Sequence, residues 1–270
     1  MIGIHINKGD SKLEDALAQS FKDGWETGQV FLWVPQAVKQ VEYDAKTVAN
    51  YLKKEKKTIW IHSSYLINPW GKAPYNRPLS IKQLEEQAII SPNGGVIFHI
   101  PNIVPSSFIE DYKYLIDHKP KQSKILLENK AYVSSNTLAK PETFNLLVET
   151  FIKFKISKAD IHFCIDTAHL FSAGISLTTE NNAKAWLSKL KYPETIQLFH
   201  LNGNSSNSVR DIHEVPGSPP DLIWNKDDSG LLYILKWAKK HKIDCILECH
   251  YQRPDHKKYA KQFLSKINKK

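Results

Sequence analysis

The chain has 270 residues, with 37 Lys and Arg against 28 Asp and Glu, a formal net charge of +9, and 41% hydrophobic residues. That length suits a (β/α)8 barrel of about 250 residues, and the apolar content is ample for a core, which excludes wholesale disorder. No apolar run reaches the ~18 residues of a membrane span, and residues 1–6 alternate like a strand rather than running apolar like a secretory signal. Three cysteines (Cys164, Cys245 and Cys249) are too few for a disulfide framework, so a reducing, intracellular setting is expected, whether cytoplasm, nucleus or viral particle. The basic excess is almost all lysine, since Arg77, Arg210 and Arg253 are the only arginines. Such a balance fits a polyanionic partner such as nucleic acid, and it equally fits lysine-covered helix faces.

In chain order, short β-branched or aromatic runs predict strands at 2–6, 29–34, 58–62, 95–99, 124–128, 162–166, 195–200 and 244–248. Helical periodicity falls between them at 11–23, 43–56, 80–90, 106–117, 141–155, 180–191 and 229–241, and again at 256–268. Ser11 and Ser80 stand where helix caps are expected, and Pro141 suits a first helical turn. Eight alternations match a closed parallel barrel over residues 1–270 as one domain. A doubly wound sheet has the same alternation, but His5-Ile6-Asn7-Lys8-Gly9-Asp10 after the first strand is no dinucleotide fingerprint.

In a barrel the reactive groups gather at the C-terminal ends of the strands. Six successive predicted strands end on a possible metal ligand: His62, His99, Glu128, Asp166, His200 and Glu248. His169 follows three residues after Asp166, and Asp211 and His213 lie two apart in the loop after the seventh strand. Five imidazoles and four carboxylates suit zinc, with manganese an option where carboxylates dominate. Glu128 and Glu248 close very apolar runs, where an unpaired carboxylate is costly unless a partner or a cation meets it. A lone strand-end histidine such as His62 or His99 is more often a hydrogen-bonded structural residue than a ligand, but independent structural reasons at six consecutive strand ends would be a large coincidence.

These residues, with their surroundings, resemble the endonuclease IV family, zinc-dependent apurinic/apyrimidinic endonucleases of base-excision repair. The carrying segments are Ile61-His62-Ser63-Ser64-Tyr65-Leu66-Ile67-Asn68, Phe98-His99-Ile100-Pro101, Leu127-Glu128-Asn129 and Cys164-Ile165-Asp166-Thr167-Ala168-His169. Phe171-Ser172-Ala173-Gly174, Phe199-His200-Leu201-Asn202, Asp211-Ile212-His213 and Leu247-Glu248 complete them, in order along the chain.

The resemblance implies three zinc ions, with manganese possible at one position. His62, His99 and Glu128 would hold the first. Glu128 would bridge to a second held by Asp166, His200 and Glu248, and His169, Asp211 and His213 would hold the third. Glu128 and Glu248 become the catalytic carboxylates. The implied reaction is hydrolysis of the phosphodiester 5′ to an abasic site in double-stranded DNA, leaving a 3′-hydroxyl and a 5′-deoxyribose phosphate, by a monomer with no membrane attachment. Tyr65, Gln36, Asn68 and Arg210 are the DNA contacts it implies. The chain departs from the family pattern at Val38, where the family has an arginine, at Gly203, where it has an acidic residue, and at Ile212, where it has another arginine. An alternative is a sugar isomerase or epimerase with one metal on Glu128, Asp166, His200 and Glu248; a non-catalytic DNA-binding barrel would have no use for the ligands.

Overall fold

A computed structural model describes residues 1–101, 107–131, 138–206, 212–249 and 254–268. Eight parallel strands close on themselves in sequence order: β1 (Ile2–His5), β2 (Thr27–Phe31), β3 (Ile59–His62), β4 (Val96–His99), β5 (Ile125–Glu128), β6 (His162–Asp166), β7 (Ile196–His200) and β8 (Asp244–Leu247). The (β/α)8 expectation is met. The crossover helices are α1 (Leu13–Lys22), α2 (Ala45–Lys54), α3 (Asn76–Ile90), α4 (Phe108–His118), α5 (Pro141–Lys153), α6 (Thr167–Ser172), α7 (Glu180–Leu187) and α8 (Ser229–His241), and α9 (Pro254–Asn268) follows the last strand. Among the described residues no helix is long and apolar enough to cross a membrane.

Alternation along each strand divides two cores. Outward residues such as Ile59, Ile61, Val96, Phe98, Ile125, Leu127, Phe163 and Ile165 pack beneath the helices in the main core. Inward residues Trp60, Ile97, Leu126, Cys164, Leu198 and Ile246, one from each of β3 to β8, fill the barrel as a separate cluster. β1 contributes no bulk to this plug: a Cβ on Gly3 would lie 2.7 Å from Ile246 Cδ1 and 2.4 Å from the Thr27 carbonyl oxygen. Two residues after each member of the plug, in the same alternation, stand His62, His99, Glu128, Asp166 and His200 at the ends of β3 to β7 and Glu248 immediately after β8. Strand periodicity thus lays the candidate ligands directly above the apolar plug.

Most elements match their predicted spans closely, and the exceptions have local causes. β2 runs Thr27–Phe31 rather than 29–34, because the apolar run leaves the sheet after Phe31. Its second half pairs with its own return loop through Val41 N–H to Leu32 O and Val34 N–H to Lys39 O, both 2.8 Å. Ser80 is not a cap: α3 begins at Asn76, and the Ser80 hydroxyl donates back to the Asn76 carbonyl at 2.7 Å. Ser11 makes no cap either, since α1 starts after Lys12, while Pro141 does occupy a first turn. The six-residue α6 was not predicted. It is too short for a helical period to register, and it starts because the Asp166 carboxylate accepts the His169 N–H at 2.7 Å.

Candidate metal centre

Eight of the nine predicted ligands lie among the described residues, and all eight converge on one mouth; Asp211 lies outside them. Strand register sets His99 opposite Glu128 and Asp166 opposite His200. Three groups form, each offering ligand atoms within 4.8 Å of one another: His62, His99 and Glu128; Glu128, Asp166, His200 and Glu248; and Asp166, His169 and His213. Glu128 belongs to two groups because its oxygens part. Oε2 lies 3.2 Å from His62 Nε2 and 3.0 Å from His99 Nε2, whereas Oε1 lies 2.8 Å from His200 Nδ1. Asp166 is also shared, which the expected partition did not include: its Oδ2 is 3.6 Å from His213 Nε2.

Hydrogen bonding decides which imidazole nitrogen faces the carboxylates. His62 Nδ1–H donates to the Ser63 carbonyl at 2.8 Å, and His169 Nδ1–H donates to the Asn129 carbonyl at 2.7 Å. A carbonyl oxygen only accepts, so both rings carry their neutral-state proton on Nδ1 and keep Nε2 as the donor atom for a cation. His200 is turned the other way. Its Nε2–H donates to Gln29 Oε1 at 2.7 Å, and Nδ1 faces Glu128 Oε1 at 2.8 Å and Glu248 Oε2 at 3.0 Å. In the neutral rings, the bare nitrogens of His62 and His200 point at carboxylate oxygens, a contact that either a ring proton or a cation held between them would satisfy. The borderline nitrogen and oxygen donors, with the outer ring nitrogens held by acceptors, fit zinc or a similar divalent ion.

With no cation bound, a ring proton on His200 balances these carboxylates. Burial pushes Glu128 and Glu248 upward, but the imidazoles around them, His200 foremost, hold both carboxyls below the usual range. Burial opposes charge on His200, yet Cys164 and the carboxylates of Glu248 and Glu128 raise it well above an ordinary imidazole. Burial lowers His99 and raises Asp166.

Supporting residues not identified from the sequence surround the ligands. Gln29 is fully buried on β2; its amide nitrogen donates to Glu248 Oε1 at 2.6 Å and lies 3.2 Å from His5 Nδ1. The Asn202 side chain donates to Asp166 Oδ2 at 2.6 Å and to Glu248 Oε2 at 3.2 Å, and accepts the Glu248 N–H at 2.8 Å. Asn129 accepts the Asp166 N–H at 2.7 Å. Thr167 donates to the Asn202 carbonyl at 2.7 Å. A polar residue on the inward face of β1 or β2 was the available signal, and placing β2 two residues late obscured it.

The expected DNA contacts sit around the rim, except Arg210, which is outside the described residues. Tyr65 is 50% exposed, with its ring 5.5 Å from those of both His62 and His99. It is therefore at the mouth and not a core tyrosine. The Tyr65 N–H and the Ser64 hydroxyl both donate to the Pro35 carbonyl, at 2.9 and 3.1 Å, which pins the loop bearing Gln36 beside Tyr65. Exposed Asn68 lines a cleft of about 310 Å³ with His62, Tyr65, His99 and Lys130. Gly203 has a structural reason: a Cβ there would lie 2.5 Å from Asp221 Cγ. Ile212 is half-buried and Val38 is 45% exposed, and nothing in the structure accounts for either departure.

A closed (β/α)8 barrel whose mouth gathers imidazoles and carboxylates is the frame of a metal-using enzyme. Within that class, the resemblance to the endonuclease IV family is borne out. A curated African swine fever virus protein named a probable AP endonuclease is 26% identical over 83% of this chain and 79% of its own. The crystal structure of AsfvAP:AG superposes with a TM-score of 0.86 at 21% identity, covering 100% of this chain and 99% of the other. Endonuclease IV from Thermus thermophilus follows with a TM-score of 0.80 at 18% identity, again covering 100% and 99%. No family model matches the chain.

Proposed function

We propose that this protein is a DNA-repair endonuclease that hydrolyses the phosphodiester 5′ to abasic sites in duplex DNA, leaving a 3′-hydroxyl and a 5′-deoxyribose phosphate. The observation that carries the reading is the mouth itself, where imidazole nitrogens and carboxylate oxygens gather in three adjoining groups with ligand atoms within 4.8 Å of one another. His62, His99 and Glu128 would hold one zinc, Glu128, Asp166, His200 and Glu248 a second, and His169 and His213 a third together with Asp211. Divalent ions held by these residues would supply a lowered pKa for bound water and neutralisation of charge on the phosphate.

The chain's own residues supply the rest. Glu128 and Glu248 are the catalytic carboxylates, and the donated bonds from Gln29 and Asn202 keep Glu248 aimed into the mouth. Tyr65, standing over His62 and His99, would fill the space left where a base is missing, while Gln36 and Asn68 meet the strands at the rim. An abasic nucleotide costs least to extrude, because no base pairs or stacks. Surface lysines would bind phosphates with salt-sensitive affinity.

The test is a duplex oligonucleotide carrying one abasic analogue, run on a denaturing gel after incubation with zinc-loaded protein. The parent should cut immediately 5′ to the lesion and Glu128→Ala should be slower by at least about 10²-fold. An intact strand with the parent refutes the reading. One ion per chain by elemental analysis would favour the sugar-isomerase alternative, which needs only Glu128, Asp166, His200 and Glu248.

A further inference from the structure

Of the eight strands, β1 and β2 carry none of the nine candidate ligands, yet both place a polar side chain on the inward face at the mouth: His5 on β1 and Gln29 on β2. Gln29 is the more constrained. It has no exposed surface, and both ends of its amide are engaged by members of one ligand group. We infer that Gln29 is the positioning residue of the site formed by Glu128, Asp166, His200 and Glu248, selecting the nitrogen of His200 and the oxygen of Glu248 that face a cation.

The orientation of the amide follows from donor counting. Glu248 Oε1, 2.6 Å away, can only accept from the amide, so the atom facing it is the NH2 nitrogen. The carbonyl oxygen then faces His200 Nε2 at 2.7 Å, and that nitrogen must carry the ring proton. Nδ1 is left to point inward, 2.8 Å from Glu128 and 3.0 Å from Glu248. The same amide occupies Glu248 Oε1, leaving Oε2 as the oxygen turned toward His200 and His213. One neutral side chain therefore settles two ligand atoms at once. The rings of His62 and His169 are held from behind by main-chain carbonyls instead. Gln29 should thus act on one site of the three.

The inference rests on the metal reading above but not on the identity of the substrate. Its test measures zinc retention in zinc-loaded parent and Gln29→Met protein, titrated with a competing chelator, with metal content read by elemental analysis. Groups that orient ligands from behind typically change metal affinity by about 10–100-fold. One ion per chain should be released at that much lower chelator strength in Gln29→Met, while the remaining ions leave as they do from the parent. Uniform loosening of every ion, or release unchanged from the parent, overturns the inference. If the parent itself holds a single ion, the three-site reading fails first, and the two failures are told apart. Should Gln29→Met not fold, ¹⁵N NMR of histidine-labelled, zinc-loaded parent decides: His200 should carry its proton on Nε2, and a proton on Nδ1 overturns the inference.

Discussion

Replacing Gly203 with alanine is expected to damage the centre from outside it. The added Cβ would sit 2.5 Å from Asp221 Cγ and 2.6 Å from its Oδ1, nearer than a carbon can stand. Asp221 is fully buried and cannot swing into solvent. Its carboxylate accepts four main-chain N–H groups, from Gly217 (2.7 Å), Ile223 (2.8 Å), Asn204 (3.1 Å) and Trp224 (3.2 Å). Charge-assisted bonds contribute about 1.5–3 kcal/mol each, so losing two costs roughly 3–6 kcal/mol. At about 2–4 °C per kcal/mol for a chain of this size, melting should fall by roughly 6 °C or more.

The disturbance has a path to the ligands. Gly203 and Glu214 exchange main-chain bonds of 2.8 and 2.9 Å, and His213 precedes Glu214. Calorimetry of the metal-free Gly203→Ala protein and elemental analysis after zinc loading would check both effects, with loss of the ion nearest His213 expected. A melt within about 2 °C of the parent, less than the shift expected for 1 kcal/mol, with full metal content, would show that the loop does not depend on this contact.

Other outcomes follow from the same geometry. Tyr65→Ala should weaken binding of an abasic duplex by about 1–3 kcal/mol, the worth of one aromatic stack, and leave zinc content unchanged; equal affinity in a polarisation titration would remove Tyr65 from the interface. His162 predicts acid sensitivity: burial, then Lys124, lowers it to about 4, and its Nδ1 has no hydrogen-bond partner among the described residues. Protonation is harder in the fold than in the open chain, so the stability held above about pH 6.5 is lost as the pH falls toward 4, by up to about 3 kcal/mol. His162→Gln should flatten that part of the stability profile, and a profile parallel to the parent's would count against the assignment.

Much of the barrel was legible because a two-residue period is a local property. Alternation in Trp60-Ile61-His62 or Leu126-Leu127-Glu128 already separates an outward apolar residue from an inward pair. Once strand ends are read as the reactive face, the ligand types follow. β2 was misplaced for a reason equally local: its apolar run continues past Phe31 into a turn that pairs with itself, and no pattern in the run marks the point of departure. The six-residue α6 escaped because its start depends on an Asp166 carboxylate already recognised in another role.

Residue types and their order along the chain thus determined the barrel and the inventory of candidate ligands. Closure of the barrel decided everything that depends on distance: that Glu128 splits its oxygens between His62 and His200, that Asp166 reaches His213, and that Gln29, 171 residues from His200 and 219 from Glu248, governs both. A strand knows which of its faces turns inward from its own alternation. Which nitrogen of an imidazole is bare depends on a hydrogen-bond partner that only the closed ring of strands brings within reach.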